Sequence, residues 1–292
     1  MICSVSVVIP TYHRTVAVLS RAVDSVLNQS FLPSDIIVVD DNNGDLQLSQ
    51  DIAAFCRSCQ VRYIYSGGRG GSGARNLGIQ AACGEYVAFL DDDDQWLPEK
   101  LEIQLPLFES PDVGLVYSRG YTFTTGRNHP IGQKPYATDA YFKAEVFYKD
   151  LLLKNYIGTT TQLVVRRRIL NAIGGFDESL PSRQDYDLCL RVAKVSRCVG
   201  ADCHTFIHYI HSRGQITANP KANMLGYRML LKKYRADIFY VKGAYHSFCC
   251  RIARCARANR SYPVFAVYYL MALLSDPAKI KKTTDKCFEL KL

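Results

Sequence analysis

GEYVAFLDDDDQWLPEK, residues 84–100, decides how the rest of the chain is read. Tyr86 to Leu90 has the length and composition of a buried strand. Four consecutive carboxylates, Asp91 to Asp94, follow it directly. Adjacent carboxylates repel, and taking them out of water is costly. Two environments tolerate them. One is an open acidic turn. The other is a site where a divalent cation takes their oxygens and shares them with a substrate phosphate.

Upstream, apolar runs alternate with helical spacings. Residues 4-SVSVVIP-10 read as a buried β-branched strand, and Val16, Leu19, Val23, Val26 and Leu27 recur at helical spacing over 15–29. A second strand, 35-DIIVVD-40, runs into the turn 40-DDNNGD-45, and a helix is predicted over 46–58. Residues 61-VRYIYS-66 form a third strand. The glycine loop 67-GGRGGSG-73 then leads into a helix over 74–82. This alternation predicts an α/β fold, with a Rossmann-like, mainly parallel sheet between flanking helices and a ligand crevice at the carboxyl ends of the strands. The polar clusters Thr11–Arg14, Asp40–Asp45 and Asp91–Asp94 all lie at such ends and are predicted to converge. Further on, 113–123 reads as a strand, 124–140 as a loop and 141–154 as a helix. Residues 162–178 read as a strand and short helix, and 183–195 as a helix.

Composition narrows the class. The chain has 292 residues, 48% hydrophobic and 22% charged, enough for one large α/β domain or two smaller ones. No apolar run reaches the 18 residues of a spanning helix, and the N-terminus enters a strand without the basic region of a secretory signal. Eleven scattered Cys, an odd number, predict reduced thiols in the cytosol. Cys56 and Cys59 have half the spacing of a zinc site, and no second half follows.

The glycine loop admits two readings. Gly68, Gly70 and Gly73 match a dinucleotide-binding fingerprint, with Asp91 at about the expected distance. Such a loop normally follows the first strand, however, and a ribose needs one carboxylate rather than four. The loop lacks the Gly-Lys-Ser/Thr of a triphosphate-binding loop. The other reading is a tight turn that lets Arg75 present a fixed cation to a phosphate.

VSVVIPTYHR, IIVVDDNNGD, GGSGARNLGI, YVAFLDDDDQWLPEKL and GGFDESLPSRQDYDLCLR, in this order over residues 4–195, resemble the family 2 glycosyltransferases of GT-A fold. The resemblance implies an inverting, metal-dependent enzyme. It would move a sugar from a nucleotide-diphosphate sugar, usually a UDP-sugar, to a glycan or lipid-linked acceptor in surface polysaccharide biosynthesis. It implies a nucleotide-binding set of Pro10, Thr11, Tyr12, Arg14, Asp40, Asp41, Arg75, Asp91 and Asp92. Asp91-x-Asp93 matches the family's D-x-D element, which gives Asp93, with His211, the ligation of Mn²⁺ or Mg²⁺. Asp185 matches the general base. One departure is Gln184, where the family often has Glu before that Asp. A dinucleotide-dependent oxidoreductase and a catalytically dead nucleotide-sugar-binding protein stay open as alternatives. Trp96 either packs under the acidic loop or lines the sugar site, His208 is placed near the diphosphate, and Arg166, Arg167 and Arg168 form a solvated basic turn or an acceptor contact.

The domain organisation expected is a GT-A domain over 1–218, with a nucleotide-binding half to 105 and an acceptor half from 106, then a basic helical extension over 219–292. Lys221 to Leu292 carries 15 Lys/Arg against 4 Asp/Glu, which accounts for the overall charge of +9. Arg251, Arg254 and Arg257 share one side of a helix, and 262-YPVFAVYYLMALL-274 is apolar and too short to span a bilayer. Together they suit peripheral contact with an anionic membrane on its inner face, or packing back onto the domain. No nucleic-acid-binding motif is found.

Overall fold

The computed structural model describes residues 4–124, 132–136, 138–210 and 219–288. It forms two compact units. The first runs from the N-terminal strand to Phe147, with Tyr156–Glu178 and Leu188 onward through the last strand. The second gathers Tyr148–Asn155, Ser179–Asp187 and the helices from Pro220.

In the first unit, β1 (Val5–Thr11), α1 (Val16–Leu27), β2 (Asp35–Asp40), α2 (Leu46–Ser58), β3 (Arg62–Tyr65), α3 (Gly70–Ala81) and β4 (Tyr86–Phe89) alternate as the sequence predicts. They are followed by β5 (Gln95–Trp96), α4 (Lys100–Gln104), β6 (Val113–Thr124), β7 (Gly132–Pro135) and β8 (Glu145–Val146). After α5 (Tyr148–Leu153) come β9 (Val164–Arg166), α6 (Arg167–Ile173), α7 (Gln184–Val195) and β10 (Arg197–Ile210). The sheet order is β3-β2-β1-β4-β9-β6-β10-β5, with β7 on β6 and β8 on β10. β1 is parallel to β2 and β4, β2 to β3, and β6 to β10. β9 runs antiparallel between β4 and β6. The chain leaves β1 on one side for β2 and returns on the other as β4. This is the strand-order reversal that opens a crevice at the carboxyl ends.

β1 is buried along its whole length, and Val7 and Ile9 share one apolar cluster with Leu19, Val23, Val38 and Ile52. α3 starts at Gly70 and so takes in glycines the sequence assigns to a loop. Close approach explains their use inside a helix. A Cβ on Gly78 would lie 2.3 Å from Val8 Cγ1, and one on Gly73 would lie 2.6 Å from the Cβ of Arg69. The helix expected over 141–154 shrinks to α5, because Glu145 and Val146 are drawn into pairing with Val199 and Cys198 of β10. Arg166 is not part of a solvated turn. It is 8% exposed and donates to the carbonyls of Val113 (2.9 Å) and Phe108 (3.0 Å), to Glu85 (2.7 Å) and to the Tyr86 hydroxyl (3.0 Å). It pairs with Tyr86, the first residue of β4, at the end of the strand away from the acidic loop.

The second unit adds α8 (Pro220–Lys233), α9 (Arg235–Tyr240), α10 (Ala244–Ala258), α11 (Tyr262–Ser275) and α12 (Ile280–Phe288). α10 packs against α5, α8, α9, α11 and α12. The first turn of α7 is anchored in this unit. Tyr186 is fully buried between the rings of Tyr227 and Phe248, and its hydroxyl donates to Leu151 O and accepts from Arg251 at 3.0 Å. Asp187, also fully buried, accepts from the Tyr234 hydroxyl and pairs with Lys233, each at 2.8 Å. Arg251 therefore packs among aromatic rings rather than presenting charge outward with Arg254 and Arg257, and Arg257 itself stacks over Phe288. Among the described residues no helix is long and apolar enough to cross a membrane.

Candidate active site

Three of the predicted clusters meet at the carboxyl ends of β1, β2 and β4. Thr11 and Asp40 are the last residues of their strands and sit opposite each other in register, while Pro10 pairs with Val39. Asp40 is fully buried, accepting from the Asn42 N–H at 2.9 Å and the Tyr63 hydroxyl at 2.8 Å. Burial and the Asp40 carboxylate raise the Tyr63 phenol above its ordinary pKa. Asp41 accepts from the Arg69 N–H at 2.8 Å and from Ser66 Oγ, which ties the turn after β2 to the glycine loop. His13 holds a left-handed φ of 51° and donates its N–H to Asn42 Oδ1 at 2.6 Å. Tyr12 beside it is 56% exposed, an open aromatic face at the mouth of the crevice.

The four carboxylates have four distinct environments. Asp91 pairs with Arg75 at 2.5 Å and accepts from Thr160 Oγ1 at 2.9 Å and Thr159 Oγ1 at 3.3 Å. Burial would raise its pKa, but the Arg75 guanidinium and the Thr160 hydroxyl hold it below the ordinary carboxylate range. Asp92 accepts from the Tyr12 N–H at 3.3 Å and lies 3.5 Å from Arg14 Nε. Burial pushes it up to about 6, against the Thr11 hydroxyl and Arg14. Asp93 pairs with Arg14 at 2.6 Å, and burial together with Asp94, Asp92 and Asp91 pushes its carboxyl up to about 7. Asp94 is fully buried and structural, accepting from Thr161 Oγ1 (2.6 Å) and the Tyr209 N–H (3.2 Å) and lying 2.9 Å from His208 Nδ1. Burial disfavours the His208 imidazolium, yet the Asp94 charge overrides it and raises the pKa to about 9.

The site thus unites Pro10, Thr11, Tyr12, Arg14, Asp40, Asp41, Arg75 and Asp91–Asp93. Trp96 packs beneath it, 2% exposed, with Nε1 donating to Thr161 O at 3.1 Å. Asp185 opens α7 in the second unit, where its Oδ1 accepts the Tyr186 N–H at 2.8 Å. Gln184 beside it donates to Leu180 O at 2.9 Å. His211 lies outside the described residues. Sequence reasoning missed Thr159, Thr160 and Thr161, which carry hydroxyls to Asp91 and Asp94. The signal was the run 158-GTTTQ-162, three consecutive donors for which no acceptor is visible along the chain.

A mainly parallel sheet with an acidic loop at its topological switch fits the GT-A fold, and solved structures agree. The mannosyltransferase PcManGT of Pyrobaculum calidifontis, in complex with GDP-Man and Mn²⁺, superposes with a TM-score of 0.61 at 16% identity over 99% of this chain and 88% of its own. S. aureus TarS 1-349, in complex with UDP-GlcNAc, gives 0.59 at 16% identity over 97% and 92%. Residues 6–174 match the profile of Glycosyl transferase family 2. The chain is 30% identical over 263 residues to an uncharacterized glycosyltransferase of Rickettsia typhi, 85% of this chain and 78% of that one. It is 31% identical over 206 residues to the amylovoran biosynthesis glycosyltransferase AmsB of Erwinia amylovora, covering 66% of this chain and 64% of AmsB. The protein belongs to glycosyl transferase family 2 and is a glycosyltransferase. With that membership, the oxidoreductase reading of the glycine loop falls.

Proposed function

We propose that this glycosyltransferase moves a sugar, with inversion, from a nucleotide-diphosphate sugar to a glycan or lipid-linked acceptor in bacterial surface polysaccharide biosynthesis. UDP is the favoured nucleotide. The observation that carries the reading is the gathering of Asp40, Asp41 and Asp91–Asp93 around one crevice. The names of two similar proteins, the amylovoran biosynthesis glycosyltransferase AmsB and the putative colanic acid biosynthesis glycosyl transferase WcaA of Escherichia coli, support the polysaccharide assignment.

The donor set fits a hard dication. Asp93 offers its carboxylate oxygens, and the burial and the neighbouring carboxylates that raise its pKa make a field a cation relieves. Among the described residues no three such side chains form a complete cage. Mg²⁺-type sites use one or two carboxylates and share the ion with substrate phosphates. When bound, Mn²⁺ or Mg²⁺ would offset the charge that builds on the departing diphosphate.

The chain's own residues do the rest. Asp40 and Asp41 are held rigid by Tyr63, Asn42, Ser66 and Arg69, ready to accept hydrogen bonds from base and ribose. Tyr12 offers a face for stacking, and Arg75 keeps a cation near the phosphates. Asp185 takes the proton of the acceptor hydroxyl as that oxygen bonds to the anomeric carbon and the carbon–oxygen bond to the diphosphate breaks. Attack from the face opposite the leaving group inverts the centre. The enzyme would act in a reducing compartment, in keeping with the ten free cysteines of the described residues, on the inner face of a membrane and in peripheral contact with its anionic lipids. The test is product analysis with UDP- and GDP-sugars. Transfer with inverted configuration is expected, and a retained configuration would refute the single displacement.

A further inference from the structure

α11 is apolar on every side, yet it is not enclosed. One face, with Phe265, Tyr268, Tyr269 and Ala272, packs on Cys249, Cys250 and Ala253 of α10, and the Ala272 carbonyl meets His246 at 3.1 Å. On the other side Val267, Leu270, Met271 and Leu274 follow helical spacing and are 50%, 55%, 38% and 70% exposed. A helix apolar all round is ordinarily buried on all sides, so this stripe is a continuous apolar face of the second unit left uncovered among the described residues. Its surroundings are basic. Between Arg257 and Lys282 the chain has five Lys/Arg and one acid, Asp276, which pairs with Lys279. Arg260 before the stripe and Lys279, Lys281 and Lys282 after it are all exposed.

We infer that the exposed stripe of α11 is a membrane-docking face. It would lie flat in the interface of an anionic phospholipid bilayer, with Arg260 and the Lys279–Lys282 cluster on lipid phosphates. Charge complementarity selects this occupant, since a second copy would bring the same cations against themselves. Four side chains on one helix also offer far less than the roughly 800 Å² per partner of a standard interface. The length agrees. A 14-residue helix is about 21 Å long, short of a bilayer crossing and adequate for lying in the headgroup boundary. Of the two elements that the sequence joins for membrane contact, Arg251 packs inside the unit, which leaves α11 and the lysines that follow it.

The test is co-sedimentation of the full chain with phosphatidylcholine vesicles with and without 30% phosphatidylglycerol. Wild type is expected to partition onto the anionic vesicles, and less so as salt rises. Val267→Gln/Leu270→Gln/Leu274→Gln should weaken partition by roughly tenfold or more, and Lys279→Gln/Lys281→Gln/Lys282→Gln by a few-fold per charge. Circular dichroism and nucleoside diphosphate binding should stay unchanged in both. Absence of wild-type partition at low salt, or equal partition of the stripe variant, would overturn the inference. So would a wild-type dimer that becomes monomeric in the stripe variant with neither binding vesicles. Vesicle binding without nucleoside diphosphate binding would instead sink the proposed function and leave the docking face standing.

Discussion

Replacing Thr161 with Val tests whether the acidic loop is held from beneath by the threonine run. The side chain is fully buried, so Val fills the same volume and leaves no cavity. What disappears is the hydroxyl that donates to Asp94 Oδ2 at 2.6 Å and accepts the Asp91 N–H at 3.2 Å. A hydrogen bond to a charged group contributes about 1.5–3 kcal/mol and a neutral one about 1 kcal/mol, so the expected loss is about 3 kcal/mol. For a unit of this size that lowers the midpoint by roughly 6–12 °C. The single Trp supplies the assay, because Trp96 is buried and its Nε1 donates to the Thr161 carbonyl. Urea titration followed by its fluorescence should show a lower midpoint with an unchanged slope. Thr160→Val is the control. There Asp91 keeps Arg75 and Thr159, and about half the loss is expected. A Thr161→Val protein within about 0.5 kcal/mol of wild type, or no worse than Thr160→Val, would refute the reasoning.

Asp185→Asn should cut transfer by about 10²–10⁴-fold while leaving nucleoside diphosphate affinity nearly intact; calorimetry showing equal loss of both would remove Asp185 from the role of base. Arg166→Met should lower the unfolding midpoint by stranding the carbonyls of Val113 and Phe108 and the Glu85 carboxylate, with kcat at low temperature unchanged; a kcat effect without a stability effect would return Arg166 to the acceptor site. The His208 pKa is raised from 6.5 to about 9 on folding, so its contribution to stability is complete below pH 6.5 and fades as pH rises through 9. Metal-free protein should therefore lose stability across that window and His208→Gln should flatten the slope; parallel pH profiles would show that the imidazolium is not the group responsible.

Much of the first hundred residues was legible because their signals are local. β1, β2 and β4 are short, largely apolar runs, β1 and β4 buried throughout and β2 from Ile37 on, and each leads into the polar residues that build the crevice. The distinct fates of Asp91 to Asp94 were not legible, since their partners are distant in the chain: Arg14, Arg75, Thr161 and His208. Arg166 reads as part of a solvated turn or as an acceptor contact because composition cannot show that the carbonyls of Val113 and Phe108 surround it. The sequence starts α3 late because glycine disfavours helices, while the reason for Gly78 there, contact with Val8, is tertiary. The tail's Arg251 reads as part of a basic stripe by spacing alone. Its place among Tyr186, Tyr227 and Phe248 depends on packing in the second unit.

The most direct test of the central claim is calorimetric titration of wild type and Asp93→Ala with UDP, GDP and NAD⁺, each with and without Mn²⁺. The account predicts that a nucleoside diphosphate binds wild type more tightly with Mn²⁺ and that Asp93→Ala loses the metal-dependent part. Binding of NAD⁺ without metal, or of no nucleoside diphosphate under either condition, would contradict it.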